Sequence, residues 1–315
     1  MRRKLMQRGW QGSLLLILIL FSHGSLAEPA KRVISIDGSI TEIIYALDQQ
    51  HRLVGRDATS TWPEAAQDLP DIGYMRQLSA EGILSLRPDL ILVTADAQPQ
   101  SVLDQLQRAR IDIQVIPNAY TLEGVEEKII QVARALSVEE RGIALAHETT
   151  EQTRLLTNSL QQLQQTPLNA VFIMSVRNSN MMVAGRGSRA DALMQLAGIH
   201  NPFSDKVVNY QNVSGEALME VNPDLIITLQ ELAMPNSGVE RLLQDPAISR
   251  TEAAQKGQVI GIQARWLNFG PDLPVSLDAL VKQLNSVKPS RSNDQLNANQ
   301  QDDKPTLVSV NQGDF

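Results

Sequence analysis

DIGYMRQLSAEGILSLRPDLILV, residues 71–93, decides how this chain is read. It begins as a loop holding one tyrosine and one arginine, Gly73-Tyr74-Met75-Arg76. Ser79-Ala80-Glu81 then opens a short helix, and Pro88-Asp89 leads into an apolar strand, Leu90 to Val93. The second half of this stretch recurs far along the chain. Ser214-Gly215-Glu216 is followed by Pro223-Asp224 and then by Leu225-Ile226-Ile227, and Glu precedes Pro by seven residues in both copies. A repeat at such a separation marks two lobes built on one plan. Only the first copy carries the Tyr-Arg loop, so one lobe is expected to supply a special side chain.

Working outward, Arg32 to Ile36 has the composition of a short buried strand. Thr41 to Leu47 reads as a helix with Ser39 as N-cap. Leu53-Val54-Gly55 begins another strand, Ser101 to Ala109 a helix, and Ile113 to Ile116 a strand stopped by Pro117. Strands alternating with helices predict a parallel sheet covered on both faces. Leu122 to Leu136 carries one apolar stripe. Val138 to Gln164 is rich in strong helix formers with no proline, and about 25 helical residues would span roughly 38 Å as a strut between lobes. The second lobe follows with strands at Ala170 to Val176, Leu225 to Thr228 and Val259 to Ile262, and with a second apolar segment, Met181 to Val183, that ends at Gly185-Arg186-Gly187. Its helices are at Ala190 to Ala197, closed by Gly198, at Val239 to Leu243, and at Val275 to Leu284. The expected fold is therefore α/β: two similar lobes, each a mostly parallel sheet flanked by helices, joined by one long helix, with the ligand cleft between lobes. The divisions are 1–27 signal peptide, 28–120 N-terminal lobe, 121–167 linking helices, 168–285 C-terminal lobe and 286–315 disordered polar tail, the last because it is polar and aperiodic.

Composition narrows the function. The 315 residues suffice for two cores, and 43% apolar with 20% charged content is ordinary for a globular chain. A net charge of -7 argues against nucleic acid as a partner. The absence of cysteine excludes disulfides, thiolate catalysis and a lipid attached at the cleavage point. Arg2, Arg3, Lys4 and Arg8 precede an apolar run, Leu14 to Phe21, too short to span a membrane, and Ser25-Leu26-Ala27 fits a cleavage site. An exported, unanchored protein that stays near its cell implies a Gram-negative periplasm.

Few residues remain to carry chemistry. His23 lies in the leader, and His51, His147 and His200 are scattered rather than set at metal-binding spacing. No P-loop or nucleophile elbow is present. Gly185-Arg186-Gly187 is too short for a dinucleotide fingerprint. Tyr74 and Arg76 are the remaining pair. A loop tyrosine is by default a rim residue, and Arg76 by default a solvated charge or a partner for Asp71. Together they suit ferric haem, whose iron accepts a tyrosine phenolate as axial ligand. A free tyrosine titrates near about 10, so the phenolate needs a positive neighbour and the metal's own charge. Glu81 and Glu216 each sit early in a short helix, where the dipole favours an acid. Ser-x-Glu is not the spacing of a capping box, so neither is assigned to capping.

At these residues the chain resembles the periplasmic haem-binding proteins of ABC importers, in the helical-backbone class shared with cobalamin and ferric-siderophore binding proteins. The resemblance covers roughly Val33 to Leu284. Its more specific stretches are Gly38-Ser39-Ile40-Thr41-Glu42-Ile43-Ile44, Gly73 to Gly82, and Asn180-Met181-Met182-Val183-Ala184-Gly185-Arg186-Gly187. It implies Tyr74 as the axial iron ligand, Arg76 as its hydrogen-bonding partner, and Glu81 and Glu216 as acids that dock an inner-membrane ABC permease dimer. Some relatives add a histidine from the second lobe, and residues 176–187 here contain none. Met181 and Met182 are soft donors that suit ferric iron poorly, so they are expected on the porphyrin face or in the core.

The expected function is haem (hemin) binding and delivery to the permease, by a monomer that catalyses no reaction. Within the same transporter class the alternative ligand is cobalamin or a ferric siderophore. From a different class, the alternative is an exported two-lobed enzyme, against which stands the lack of a nucleophile-base or metal constellation.

Overall fold

The computed structural model describes residues 30–163, 168–177, 180–230 and 238–287. The expected leader and all but the first residues of the expected tail lie outside them. Among the described residues, no helix is long and apolar enough to cross a membrane.

The first lobe is a four-stranded parallel sheet in the order β2-β1-β3-β4. Its strands are β1 (Val33–Ile36), β2 (Leu53–Arg56), β3 (Leu90–Thr94) and β4 (Asp112–Ile116). Helices α1 (Gly38–Ala46), α2 (Ala80–Ser85) and α3 (Gln100–Arg108) make the crossovers. Helix α4 (Leu122–Ala135) leads out of the lobe into α5 (Glu139–Leu163), the 25-residue strut. Strands β1 and β3 are buried along their whole length, as the central strands of a doubly covered parallel sheet must be. Period-two geometry divides their side chains. Val33, Leu90 and Leu92 enter one apolar cluster, while Ile34, Ile36, Ile91 and Val93 enter another beneath α2 and α3.

The second lobe holds a six-stranded sheet, β10-β9-β5-β6-β8, with β7 paired to β5. The strands are β5 (Leu168–Arg177), β6 (Asn180–Ala184), β7 (Ile199–His200), β8 (Tyr210–Ser214), β9 (Leu225–Leu229) and β10 (Val259–Ile262). Helices α6 (Arg189–Leu196), α7 (Gly215–Val221), α8 (Val239–Leu243), α9 (Pro246–Ser249), α10 (Glu252–Gln255) and α11 (Leu273–Val287) complete it. This sheet is mixed: β5 pairs antiparallel with β6, and β6 with β8. Neither β7 nor β8 is announced by an apolar run, because β7 is only two residues long and β8 (YQNVS) is an edge strand with three exposed polar residues. Helix α11 continues to Val287, past the expected end of the lobe at residue 285.

The repeat has a structural purpose. In both copies the helix ends at a left-handed residue, Arg87 (φ 47°) or Asn222 (φ 37°), a conformation that terminates helices. A buried proline follows, and then the aspartate. The Asp89 amide donates to Arg32 O at 2.9 Å, and its carboxylate accepts from the amides of Lys31 and Arg32 at 2.8 and 2.9 Å. The Asp224 amide likewise donates to Asn169 O at 2.9 Å, and its carboxylate accepts from the Asn169 amide at 3.2 Å. Pro-Asp thus clamps the start of β3 onto β1 and of β9 onto β5, setting the register of the central pair in each lobe.

One apolar cluster runs through both lobes. It joins Ile40, Ile43 and Leu92 of the first lobe to Phe172, Ile227 and Leu280 of the second, by way of Val125, Ile129 and Val132 of α4 and Ala146 and Leu160 of α5. The strut is therefore one wall of a shared core.

Candidate functional site

In a parallel sheet the crossover helix runs antiparallel to its strands, so its N-terminus lies at the carboxyl edge, where ligands bind in open α/β sheets. Asp37 after β1, the Tyr74 loop before α2 and Asp96 after β3 all occupy this edge of the first lobe. Against it stand Arg189 at the start of α6 and the segment 268–272 before α11.

The Tyr74 loop is built from fixed points. The Gly73 amide donates to Asp71 Oδ1 at 2.8 Å, and the Gly73 carbonyl accepts from Ala58 at 2.9 Å. Gly73 has φ +93° with open space where a Cβ would sit, so glycine is needed for backbone sense rather than for room. The Met75 carbonyl accepts from Gln98 at 2.8 Å, and the Met75 and Leu78 side chains enter the core. The residues between these anchors turn outward. Tyr74 is 40% exposed and Arg76 is exposed. Among the described residues, neither the phenol nor the guanidinium has a hydrogen-bond or ion-pair partner, and they do not bond each other. Asp71 pairs with Arg56 at 2.8 Å, so the bland pairing with Arg76 does not form.

Glu81 and Glu216 take the same position, second residue of α2 and of α7, and both are exposed. Their caps differ. Ser79 makes no side-chain cap bond, whereas Ser214 Oγ accepts from the Ala217 amide at 3.4 Å. A hydrogen bond from the Ser214 hydroxyl, then one from its own amide, holds the Glu216 carboxyl below its ordinary range.

Sequence reading missed the seam between the lobes, which is polar and mostly buried. The N-cap of α1 is Asp37, not Ser39: the helix starts at Gly38, and the Ser39 amide donates to Asp37 Oδ1 at 2.8 Å. Asp37 has φ 123°, a strained value for a residue with a Cβ. Its other oxygen accepts from Arg189 Nη2 at 2.5 Å. Burial alone would raise the Asp37 carboxyl, but Arg189, Lys128 and the Ser39 hydroxyl outweigh it and bring the group to about 2. Arg189 Nε also donates to Tyr120 Oη at 3.1 Å, with the guanidinium 5.3 Å from that ring's centre. Tyr120 Oη in turn donates to Asp96 Oδ2 at 3.2 Å.

Deeper in the seam, Lys128 Nζ bridges Ser39 Oγ and Phe269 O, each at 3.2 Å. Burial pulls the Lys128 ammonium down to about 8. Glu42 accepts from Asn268 Nδ2 at 2.7 Å on one oxygen, while the other is buried and has no hydrogen-bond partner among the described residues. Burial pushes this carboxyl up to about 8. A Cβ on Gly270 would lie 2.4 Å from that second oxygen, so a larger residue there would require the Glu42 carboxylate to shift. At the rim Trp62 Nε1 donates to Asp272 Oδ2 at 2.5 Å, and Arg265 stacks 4.1 Å above the indole.

Of the two methionines weighed as donors, Met181 is fully buried in the second-lobe core and Met182 is partly buried. His200 Nδ1 lies 2.9 Å from Asn169 Oδ1, beside β7. Among the described residues, Tyr74 and Arg76 thus present an exposed phenol and guanidinium without polar partners, while the seam pairs Asp37 with Arg189 internally.

The chain belongs to the periplasmic binding protein family, whose profile matches residues 33–266. It is 28% identical over 252 residues to the vitamin B12-binding protein of Vibrio cholerae serotype O1, covering 80% of this chain and 87% of that one. Among solved structures it is similar to the periplasmic heme-binding protein BhuT in complex with two hemes (32% identity, TM-score 0.73, 82% of this chain and 98% of that). It is also similar to the periplasmic heme-binding protein RhuT from Roseiflexus sp. RS-1 in apo form (31%, TM-score 0.76, 82% and 99%). The heme-binding protein HutB of Vibrio cholerae matches at 29% with a TM-score of 0.69, over 82% and 99%.

Proposed function

We propose that this periplasmic binding protein takes ferric haem into the cleft between its lobes and delivers it to an inner-membrane ABC permease. The Tyr74 phenolate is the axial iron ligand, Arg76 stabilises that phenolate, and Glu81 and Glu216 dock the permease. The observation that carries the reading is the Tyr74 loop. It is fastened on both sides of the tyrosine, yet among the described residues the phenol itself is bonded to no other group. A hard oxygen donor held this way suits a ferric centre, and solved structures sharing 29–32% of the sequence are those of heme-binding proteins. The equivalent positions of Glu81 and Glu216 suit a partner with two equivalent halves.

Haem here is cargo, and the protein's work is capture and release. The relatives are binding proteins, and the seam holds its charged groups in internal pairs rather than presenting a nucleophile and base. A second ligand, cobalamin, is favoured by the vitamin B12-binding relatives at 28% identity.

Haemin titration followed by absorption spectroscopy decides between them, with cobalamin as competitor. Haemin binding with a phenolate-to-iron charge-transfer band, lost in Tyr74→Phe, is the expected result. A Tyr74→Phe spectrum identical to wild type overturns the ligand assignment, and tight cobalamin binding without haemin binding overturns the cargo.

A further inference from the structure

We propose that Asp71 aims Tyr74 into the cleft, acting as a positioning residue for the iron ligand; this rests on the reading of Tyr74 as that ligand. One carboxylate makes two bonds at the base of the loop. Asp71 Oδ2 accepts from Arg56 Nη1 at 2.8 Å, and Oδ1 accepts from the Gly73 amide at 2.8 Å. The first bond ties Asp71 to the end of β2. The second folds the chain back at the residue immediately before the tyrosine.

The backbone around this contact is an extra rung on the sheet edge. Arg56 N donates to Pro70 O, and Ile72 N to Arg56 O, each at 3.0 Å, so residues 70–72 run alongside β2. The chain must then leave the sheet sharply. It does so at Gly73, whose φ of +93° is selected by the Asp71 carboxylate receiving its amide, an aspartate turn. After the tyrosine the Gln98 amide holds the Met75 carbonyl. The other hydrogen bonds that hold residues 72–77 are backbone to backbone, and the Ile72 and Met75 side chains anchor the loop in the core, so Asp71 is the side chain that sets the turn by hydrogen bonding.

Asp71 is nearly half exposed, while Arg56 is 11% exposed. An ion pair with one partner this exposed adds little to global stability. Its loss therefore acts locally, on where the phenol points, and small misplacements of a ligating atom are costly to binding.

The test uses the full mature protein and haemin. Asp71→Ala is expected to weaken haemin binding about tenfold and reduce the charge-transfer band, with the thermal midpoint near wild type and faster hydrogen exchange at the Gly73 amide. Asp71→Asn keeps an acceptor for that amide but loses the charge facing Arg56, and should fall between the two. Wild-type affinity and spectrum in Asp71→Ala, alongside an altered Tyr74→Phe, overturn the positioning role and leave the ligand reading standing. An unaltered Tyr74→Phe overturns the ligand reading itself, and the positioning role with it. Should Asp71→Ala not fold, Asp71→Asn and Arg56→Met decide by the same readouts.

Discussion

Arg189 and Asp37 lie 152 residues apart in sequence, and they join the two lobes through a 2.5 Å hydrogen bond from Nη2 to Oδ2. Asp37 is fully buried and Arg189 keeps a fifth of its side chain exposed. Removing one member of such a pair strands the other, at a cost of about 3–5 kcal/mol. Arg189→Ala should therefore unfold at markedly lower urea, and Arg189→Ala with Asp37→Asn should recover part of the loss. The same pair sets an acid limb. The Asp37 carboxyl sits at about 2 against an ordinary 3.8, so its stabilisation is present above pH 3.8 and is lost as pH falls toward 2, about 2 kcal/mol in all. A wild-type urea midpoint in Arg189→Ala would refute the assignment.

Glu42 sets a second limb of opposite sense. Its carboxyl is pushed from 4.5 to about 8, so between these values it is protonated when folded and ionised when unfolded. Stability must then fall as pH rises through that window, by up to about 1.4 kcal/mol per unit. The charged groups acting on it are Asp272, Lys128 and Asp37. Glu42→Gln removes the slope, so the variant should gain on wild type steadily from pH 5 to pH 8. Parallel stability curves across that range would count against a neutral Glu42. Lys128, lowered to about 8, contributes its own slope above that pH.

Arg76 is exposed and bonds no described residue, and its proposed role is to stabilise the Tyr74 phenolate. A charge-assisted hydrogen bond is worth about 1.5–3 kcal/mol. Arg76→Ala should bind haemin about tenfold or more weakly, with its charge-transfer band shifted, while the apo protein keeps its thermal midpoint. Unchanged affinity would remove Arg76 from the site.

Glu81→Lys with Glu216→Lys should stop permease-dependent haem uptake in vesicles while haemin titration stays normal. Both acids are exposed and sit at matching helix positions outside the seam, so the fold should tolerate the change. Uptake at the wild-type rate would rule out docking through them, and loss of haemin binding would place them in the cleft.

The lobes should move little on loading. They share one apolar cluster through α4, α5 and α11, and the Asp37–Arg189, Glu42–Asn268 and Trp62–Asp272 contacts tie them directly. Solution scattering of apo and haem-loaded protein should give nearly equal radii of gyration. Contraction by several ångströms, of about the size expected for hinge closure, would contradict it.

Local chemistry made the lobes legible in the sequence. The period of apolar residues named β1, β3, β5 and β9, and the repeated Pro-Asp marked where each central pair begins, because both signals act over a few residues. The turn that presents Tyr74 was legible for the same reason, since its glycine lies next to the tyrosine and takes the positive φ. Strand order was not legible. The antiparallel β6 and β8 depend on which edge of β5 is free, and β8 is too polar to show a period. Nor was the seam. Asp37, Lys128, Arg189 and Asn268 carry no local signal in the sequence, Glu42 falls only within a stretch of family resemblance, and Ser39 was read as the cap. Only packing of the lobes takes water from them, and burial then decides which stay charged, which partners they need and how closely Gly270 approaches the Glu42 carboxylate. Desolvation is a property of the folded whole, so the residues that tie the lobes became visible only in three dimensions.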